Sequence, residues 1–120
     1  MITVALFLCT VTGVYDGDTL TCADKTRVRL SAIDAPEIRG CRGRKGRVCV
    51  PGDAQASKRA LSAMVLGKQL RCEKVGVSYN RSVAFCSAPG VGDLSCAMMR
   101  GGWAQYQPKY DKQGRLRRCR

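Results

Sequence analysis

Histidine is missing from this 120-residue chain. Its absence removes imidazole as a general base and excludes Ser-His and Cys-His nucleophile pairs. The common His-containing zinc sites go with it. No two cysteines stand in a C-x2-C spacing, which argues against an all-Cys zinc site as well. Acids are scarce, 9 Asp and Glu against 21 Lys and Arg, for a formal charge of +12. Long apolar runs are also lacking. The run Ile2–Leu8 is too short to span a membrane. With no Lys or Arg before it, it is a poor signal peptide as written. It reads as the stub of one or as the start of a strand. The chain shows no internal repeat and no linker.

A length of 120 residues with 45% hydrophobic content fits one globular domain spanning 1–120. The positive excess favours a polyanionic partner, nucleic acid first and an anionic membrane surface second. The cysteines, Cys9, Cys22, Cys41, Cys49, Cys72, Cys86, Cys96 and Cys119, are even in number and dense. They read as disulfides in an oxidising compartment, which makes the chain secreted or periplasmic. Sequence order and the expected hairpins favour the pairs Cys9–Cys22, Cys41–Cys49, Cys72–Cys86 and Cys96–Cys119.

Periodicity gives the elements. Thr10–Tyr15 is β-branched and extended, and Thr19–Cys22 follows an Asp-Gly-Asp turn, so the two form a hairpin. Thr26–Ile33 alternates, with Val28, Leu30 and Ala32 on one face and Arg27, Arg29 and Ser31 on the other. Arg29 is therefore expected to project off the apolar face. Asp53–Gly67 is the clearest helix, capped by Asp53, with Ala56, Ala60, Leu61, Met64 and Val65 on one side. Gln69–Val75 and Arg81–Ser87 read as strands joined by a loop. Asp93–Arg100 is a short helix, and the segment from Gln107 reads as a polar, basic tail. Five strands with the main helix between the third and fourth are the order of an OB-fold, a mainly β, α+β barrel.

Four of the nine acids fall in two short stretches, Asp16 and Asp18 in "YDGDT" and Asp34 and Glu37 in "IDAPE". Carboxylates clustered in so basic a chain need a counter-charge, and a bound cation is the simplest one. Hard oxygens from Asp16, Asp18, Asp34 and the Ala35 carbonyl suit Ca²⁺ or Mg²⁺. Ordinary acidic turns are the competing explanation. The loop 39–52, with "RGCRGRKGR" at Arg39–Arg47, follows the second acidic stretch. This places Arg39 and Lys45 within reach of a phosphate.

Taken together, "DGDT" at Asp16–Thr19, "RLSAIDAPE" at Arg29–Glu37 and "YNR" at Tyr79–Arg81 resemble the three signature stretches of the staphylococcal nuclease-like (thermonuclease) family. "ASKRAL" in the helix and "AMMRGGWAQY" at Ala97–Tyr106 resemble it too. The resemblance implies a Ca²⁺-dependent phosphodiesterase on an OB-fold barrel. Its substrates would be DNA and RNA, single-stranded or locally opened, and its products would carry 3′-phosphate and 5′-hydroxyl ends. It implies that Asp18, Asp34 and the Ala35 carbonyl hold Ca²⁺ with Asp16 nearby, and that Arg29 and Arg81 hold the scissile phosphate. Glu37 is then the general base, with Tyr79 and Tyr106 beside the nucleotide. The chain departs from the family at Asn80, where glycine is usual, in a short final segment, and in its cysteines. A catalytically inactive nucleic-acid-binding barrel and a disulfide-rich membrane-active protein are the other two classes the composition allows. Against the last, the main helix carries only Lys58 and Arg59 as cations. The expected assembly is a monomer without stable membrane association.

Overall fold

A computed structural model of the protein describes residues 5–38 and 49–119. The first strand, β1 (Ala5–Asp16), is long because it serves two neighbours in turn. Its first half pairs antiparallel with β5 (Gln69–Ser78), from Ala5 opposite Lys74 to Thr10 opposite Gln69. Its second half pairs with β2 (Thr19–Cys22). Register shifts between Val11 and Gly13 and between Val14 and Asp16 bend the strand through this change of partner. β2 pairs with β3 (Arg27–Leu30), and β5 with β6 (Arg81–Ala88). A parallel pairing of β3 with β6, Val28 opposite Ser82 and Leu30 opposite Ala84, closes the cylinder. The result is the expected α+β, OB-like barrel of five strands.

The apolar alternation explains the interior. Cys9, Val11, Leu20, Val28, Leu30, Leu70 and Ala84 point inward and are buried. Helix α1 (Ala54–Val65) closes one end of the barrel with Leu61 and Val65, each fully buried and each contributing about 1.5–3 kcal/mol of apolar burial. Asp53 caps it as expected, accepting from the Ala56 N–H at 3.0 Å. Helix α2 (Leu94–Arg100) is capped by Asp93 in the same way, at 2.9 Å from the Cys96 N–H.

Four features differ from the sequence reading. The third strand does not run unbroken to Ile33. It stops at Leu30, Ala32 takes a φ of 67°, and the chain resumes as β4 (Ile33–Asp34), paired with β8 (Gln105–Tyr106). Ser31 is consequently buried rather than outward. Its N–H donates to the Ala84 carbonyl at 2.8 Å, and its carbonyl accepts from the Ser95 hydroxyl at 2.7 Å. Second, no loop separates β5 from β6. Tyr79 and Asn80 alone make the turn, both left-handed, at φ 48° and 55°. Third, a two-residue strand, β7 (Gly92–Asp93), pairs with the end of β6 just before α2.

The fourth is the tail, which packs against the barrel. Leu116 is fully buried, and Asp111 accepts from the Tyr106 hydroxyl at 2.7 Å and from the Arg115 and Leu116 N–H groups. Burial opposes ionisation of Asp111, but these donors outweigh it and hold its carboxyl below the usual range. Arg115 pairs with Glu73 and lies 4.6 Å from the Phe85 ring centroid.

Disulfides join Cys9 to Cys22, Cys72 to Cys86 and Cys96 to Cys119, as sequence order suggested. The first ties β1 to β2, the second spans directly opposed residues of β5 and β6, and the third anchors the tail to α2. The Cys41–Cys49 pair rests on Cys41, which lies outside the described residues, as do Arg39 and Lys45. Three bridges are compatible with an oxidising compartment. Among the described residues no helix is long and apolar enough to cross a membrane.

Candidate active site

A cleft of about 790 Å³ opens where the β1–β2 turn, the end of β3, β4 and the β5–β6 turn meet. Asp16, Asp18, Arg29, Asp34, Glu37 and Arg81 all line it. The break in the third strand helps to build the site. It turns the chain after Leu30, so that Asp34 and Glu37 return beside the Asp-Gly-Asp turn.

Asp18 is the hub. Its Oδ1 accepts from the Thr19 hydroxyl at 2.8 Å, and its Oδ2 accepts from the Ala35 N–H at 2.9 Å and lies 3.4 Å from Arg29 Nη2. Asp16 Oδ1 accepts from the Asp18 N–H at 3.0 Å. Both acids are nearly inaccessible, Asp16 at 7% and Asp18 at 4% exposure. Burial, followed by the charge of Asp18, pushes the Asp16 carboxyl up to about 7. Two buried carboxylates this close resist ionising together without added positive charge, and Arg29 offsets only part of it.

Arg29 does leave the apolar face, as the alternation requires. Its Nη1 donates to the Leu30 and Ile33 carbonyls at 2.7 and 2.8 Å, and its Nη2 stands 3.5 Å from Asp34 Oδ1. Arg81 reaches the same cleft from the start of β6. Its Nη1 donates to the Thr19 hydroxyl at 3.3 Å, and Ser78 supplies a carbonyl and a hydroxyl to its Nε and Nη2. Burial, then repulsion from Arg29, lowers the Arg81 pKa. Two guanidiniums are thus held beside the buried acids in one cleft.

Tyr79 lines the cleft. Tyr106 does not; its hydroxyl is bound to Asp111, and the aromatic lining the cleft from that segment is Tyr110, next to Lys109. Ala35 is buried behind the acids and presents its N–H to Asp18. Thr19 was not singled out from the sequence, although it links Asp18 to Arg81. Its place inside the "DGDT" stretch was the available signal.

Among the described residues no three His, Cys, Asp or Glu side chains form a metal-holding group. A cation here would therefore take the Asp16–Asp18 pair as its side-chain core and fill its remaining positions with other oxygens, in the manner of Mg²⁺ or Ca²⁺. The suppressed ionisation of Asp16 fits such an ion.

Linkage makes this testable. The folded Asp16 pKa lies above its ordinary 3.8, so the folded state holds more protons than the unfolded state between the two values. Stability of the metal-free chain is expected to fall by a few kcal/mol as pH rises from about 4 to about 7. Ca²⁺ should restore it at pH 7.5. Thermal melts across this range with chelator and with Ca²⁺ check the effect. A metal-free melting curve that does not fall over this window would contradict it.

Gly17 is set by close approach rather than by its dihedral, since its φ is not positive. A Cβ there would lie 1.8 Å from the Ser57 Oγ and 2.8 Å from the Ala35 Cβ. Ser57 is the buried polar residue of α1, and its hydroxyl donates to the Trp103 carbonyl at 2.8 Å. The acidic turn thus rests directly on the main helix. Gly17→Ala is expected to cost about 1–3 kcal/mol by overpacking and to displace Asp16 and Asp18. Melting temperature and cation affinity should both fall. Unchanged values for both would mean that the turn does not depend on this contact.

The chain is 38% identical over 110 residues to a Haemophilus influenzae protein named "Uncharacterized endonuclease", an alignment taking in 86% of this chain. It spans 55% of that relative's length. No family model matches the chain.

Proposed function

We propose that this chain is a metal-dependent phosphodiesterase of the staphylococcal nuclease-like kind, hydrolysing DNA and RNA to 3′-phosphate and 5′-hydroxyl ends. The observation that carries the reading is the convergence of Arg29, Arg81, Glu37 and the buried Asp16–Asp18 pair on one cleft of a basic OB-like barrel. The similarity to a protein named an endonuclease points the same way.

In this reading the Asp16–Asp18 pair would be the side-chain core for Ca²⁺, with other oxygens filling its remaining positions, and the ion when bound would offset phosphate charge and polarise the phosphoryl oxygen. Arg29 and Arg81 bind the phosphate's equatorial oxygens and gain strength as charge builds on them. Glu37 takes the proton from the attacking water, since no imidazole exists to do so. Thr19 keeps Asp18 and Arg81 in register. Secretion or periplasmic residence and action as a monomer complete the proposal.

Incubation of plasmid DNA and of RNA with the purified protein tests it, with Ca²⁺, with Mg²⁺ and with EDTA. Degradation that requires the cation supports the reading. Intact nucleic acid in every metal condition, with binding retained, would favour a non-catalytic binding barrel.

A further inference from the structure

A second cavity, of about 450 Å³, adjoins the cleft and shares Ser31, Ser78, Val83 and Tyr110 with it. It runs between the β5–β6 hairpin and the packed tail. Its lining contains no Asp or Glu, unlike the cleft beside it, and it contains Lys112 and Arg115. Arg115 is committed to Glu73 and to the Phe85 ring, whereas Lys112 is exposed. Tyr110 stands between the two cavities at 59% exposure, and Val77 on the hairpin wall is 69% exposed. Lys109 Nζ lies 5.5 Å from the Tyr110 ring centroid.

We infer that this groove is a second strand-binding subsite for single-stranded polynucleotide. It takes nucleotides that continue past the phosphate held by Arg29 and Arg81. The inference rests on the phosphodiesterase reading for the direction of the strand. Its own support is the continuity of the two cavities, the acid-free cationic lining and the exposed ring at their junction. Tyr110 stacks an unpaired base, Lys112 meets the backbone phosphates, and the aliphatic Val77 covers a sugar or base face. Stacking of this kind is sequence-tolerant and requires a base free of its complement. The wall is preformed, because the Asp111 hydrogen bonds, the Arg115–Glu73 pair and the Cys96–Cys119 bridge fix the tail before any ligand arrives. Little ordering is then left to oppose binding.

The test is fluorescence anisotropy with end-labelled oligothymidylates of roughly three and roughly twelve nucleotides, in EDTA so that no turnover occurs. The parent should bind the longer strand more tightly. Tyr110→Ala should weaken binding of the longer strand about 5- to 100-fold, the usual effect of losing one stacked base, and Tyr110→Phe should retain it. Lys112→Ala should reduce the salt slope of the longer strand's affinity by about 0.7, one phosphate contact on a single strand. Equal affinity for both lengths, or Tyr110→Ala binding the longer strand as the parent does, overturns the subsite. So does polyglutamate displacing the strand as effectively as unlabelled oligothymidylate at equal charge, which would make the groove a site for acidic peptide. Activity with Ca²⁺ is measured separately. Cleavage without Tyr110-dependent binding sinks the groove alone, and Tyr110-dependent binding without cleavage sinks the catalytic reading alone.

Discussion

Glu37→Gln is expected to fold as the parent does, to bind nucleic acid, and to lose roughly 10²–10⁴ in turnover, the usual contribution of a positioned general base. Four observations place the expectation on this residue. The chain has no histidine. Asp18 is occupied by the Thr19 hydroxyl, the Ala35 N–H and Arg29. Asp16 is buried and belongs to the pair assigned to the cation. Glu37 lines the same cleft and is only half-buried, where water can reach it. Gln keeps the shape and removes the basicity, so the variant separates proton transfer from binding. Parent-rate digestion by Glu37→Gln, with an unchanged melt, would assign the base elsewhere.

Arg29→Lys and Arg81→Lys are each expected to lower turnover by roughly 10²–10³, the scale of removing one preorganised donor. Lysine keeps the charge but not the planar fork. The Arg29 fork divides its work: Nη1 holds the Leu30 and Ile33 carbonyls, and Nη2 lies against Asp18 and Asp34. A lysine ammonium cannot span both sets, so Arg29→Lys should also loosen the β3–β4 turn and lower the melting temperature. Arg81 is held by Ser78 and Thr19 at the longer distances of 3.3–3.4 Å. Arg81→Lys should therefore lose turnover with a smaller change in stability. Steady-state rates on a single-stranded oligonucleotide, read beside thermal melts, distinguish the two. Full activity in both variants would remove the guanidinium pair from the account.

The sequence made much of this architecture legible, because local rules and tertiary structure agree there. Alternation locates β3, the Asp-Gly-Asp turn locates β2, the Asp53 cap locates the main helix, and sequence order leads to the three disulfide pairs of the described residues. Where the reading fell short, a long-range contact outweighed a local pattern. Thr26–Ile33 alternates as one strand, yet Ser95 and Ala84 take up the Ser31 backbone and Ala32 turns left-handed. The final segment is polar in composition, and nothing local reveals that Asp111 gathers Tyr106, Arg115 and Leu116 about one carboxylate. That cluster draws the Tyr106 hydroxyl to the tail and leaves Tyr110 to line the cleft. Ser57 was hidden for a related reason. A serine on a helix reads as solvent-facing until Gly17 and Trp103 are seen beside it. The acids and both arginines are recognisable from the short motifs that hold them and not from local contact, since Ala35 meets Asp18 and Arg81 meets Thr19 only in the fold.

The most direct measurement of the central claim is cleavage of a labelled single-stranded oligonucleotide by the purified protein, with Ca²⁺ and with chelator, parent beside Glu37→Gln. The account predicts fragments ending in 3′-phosphate with Ca²⁺, none with chelator, and a rate lower by roughly 10²–10⁴ in the variant. Cleavage that survives the chelator, or that proceeds equally in parent and variant, would contradict it.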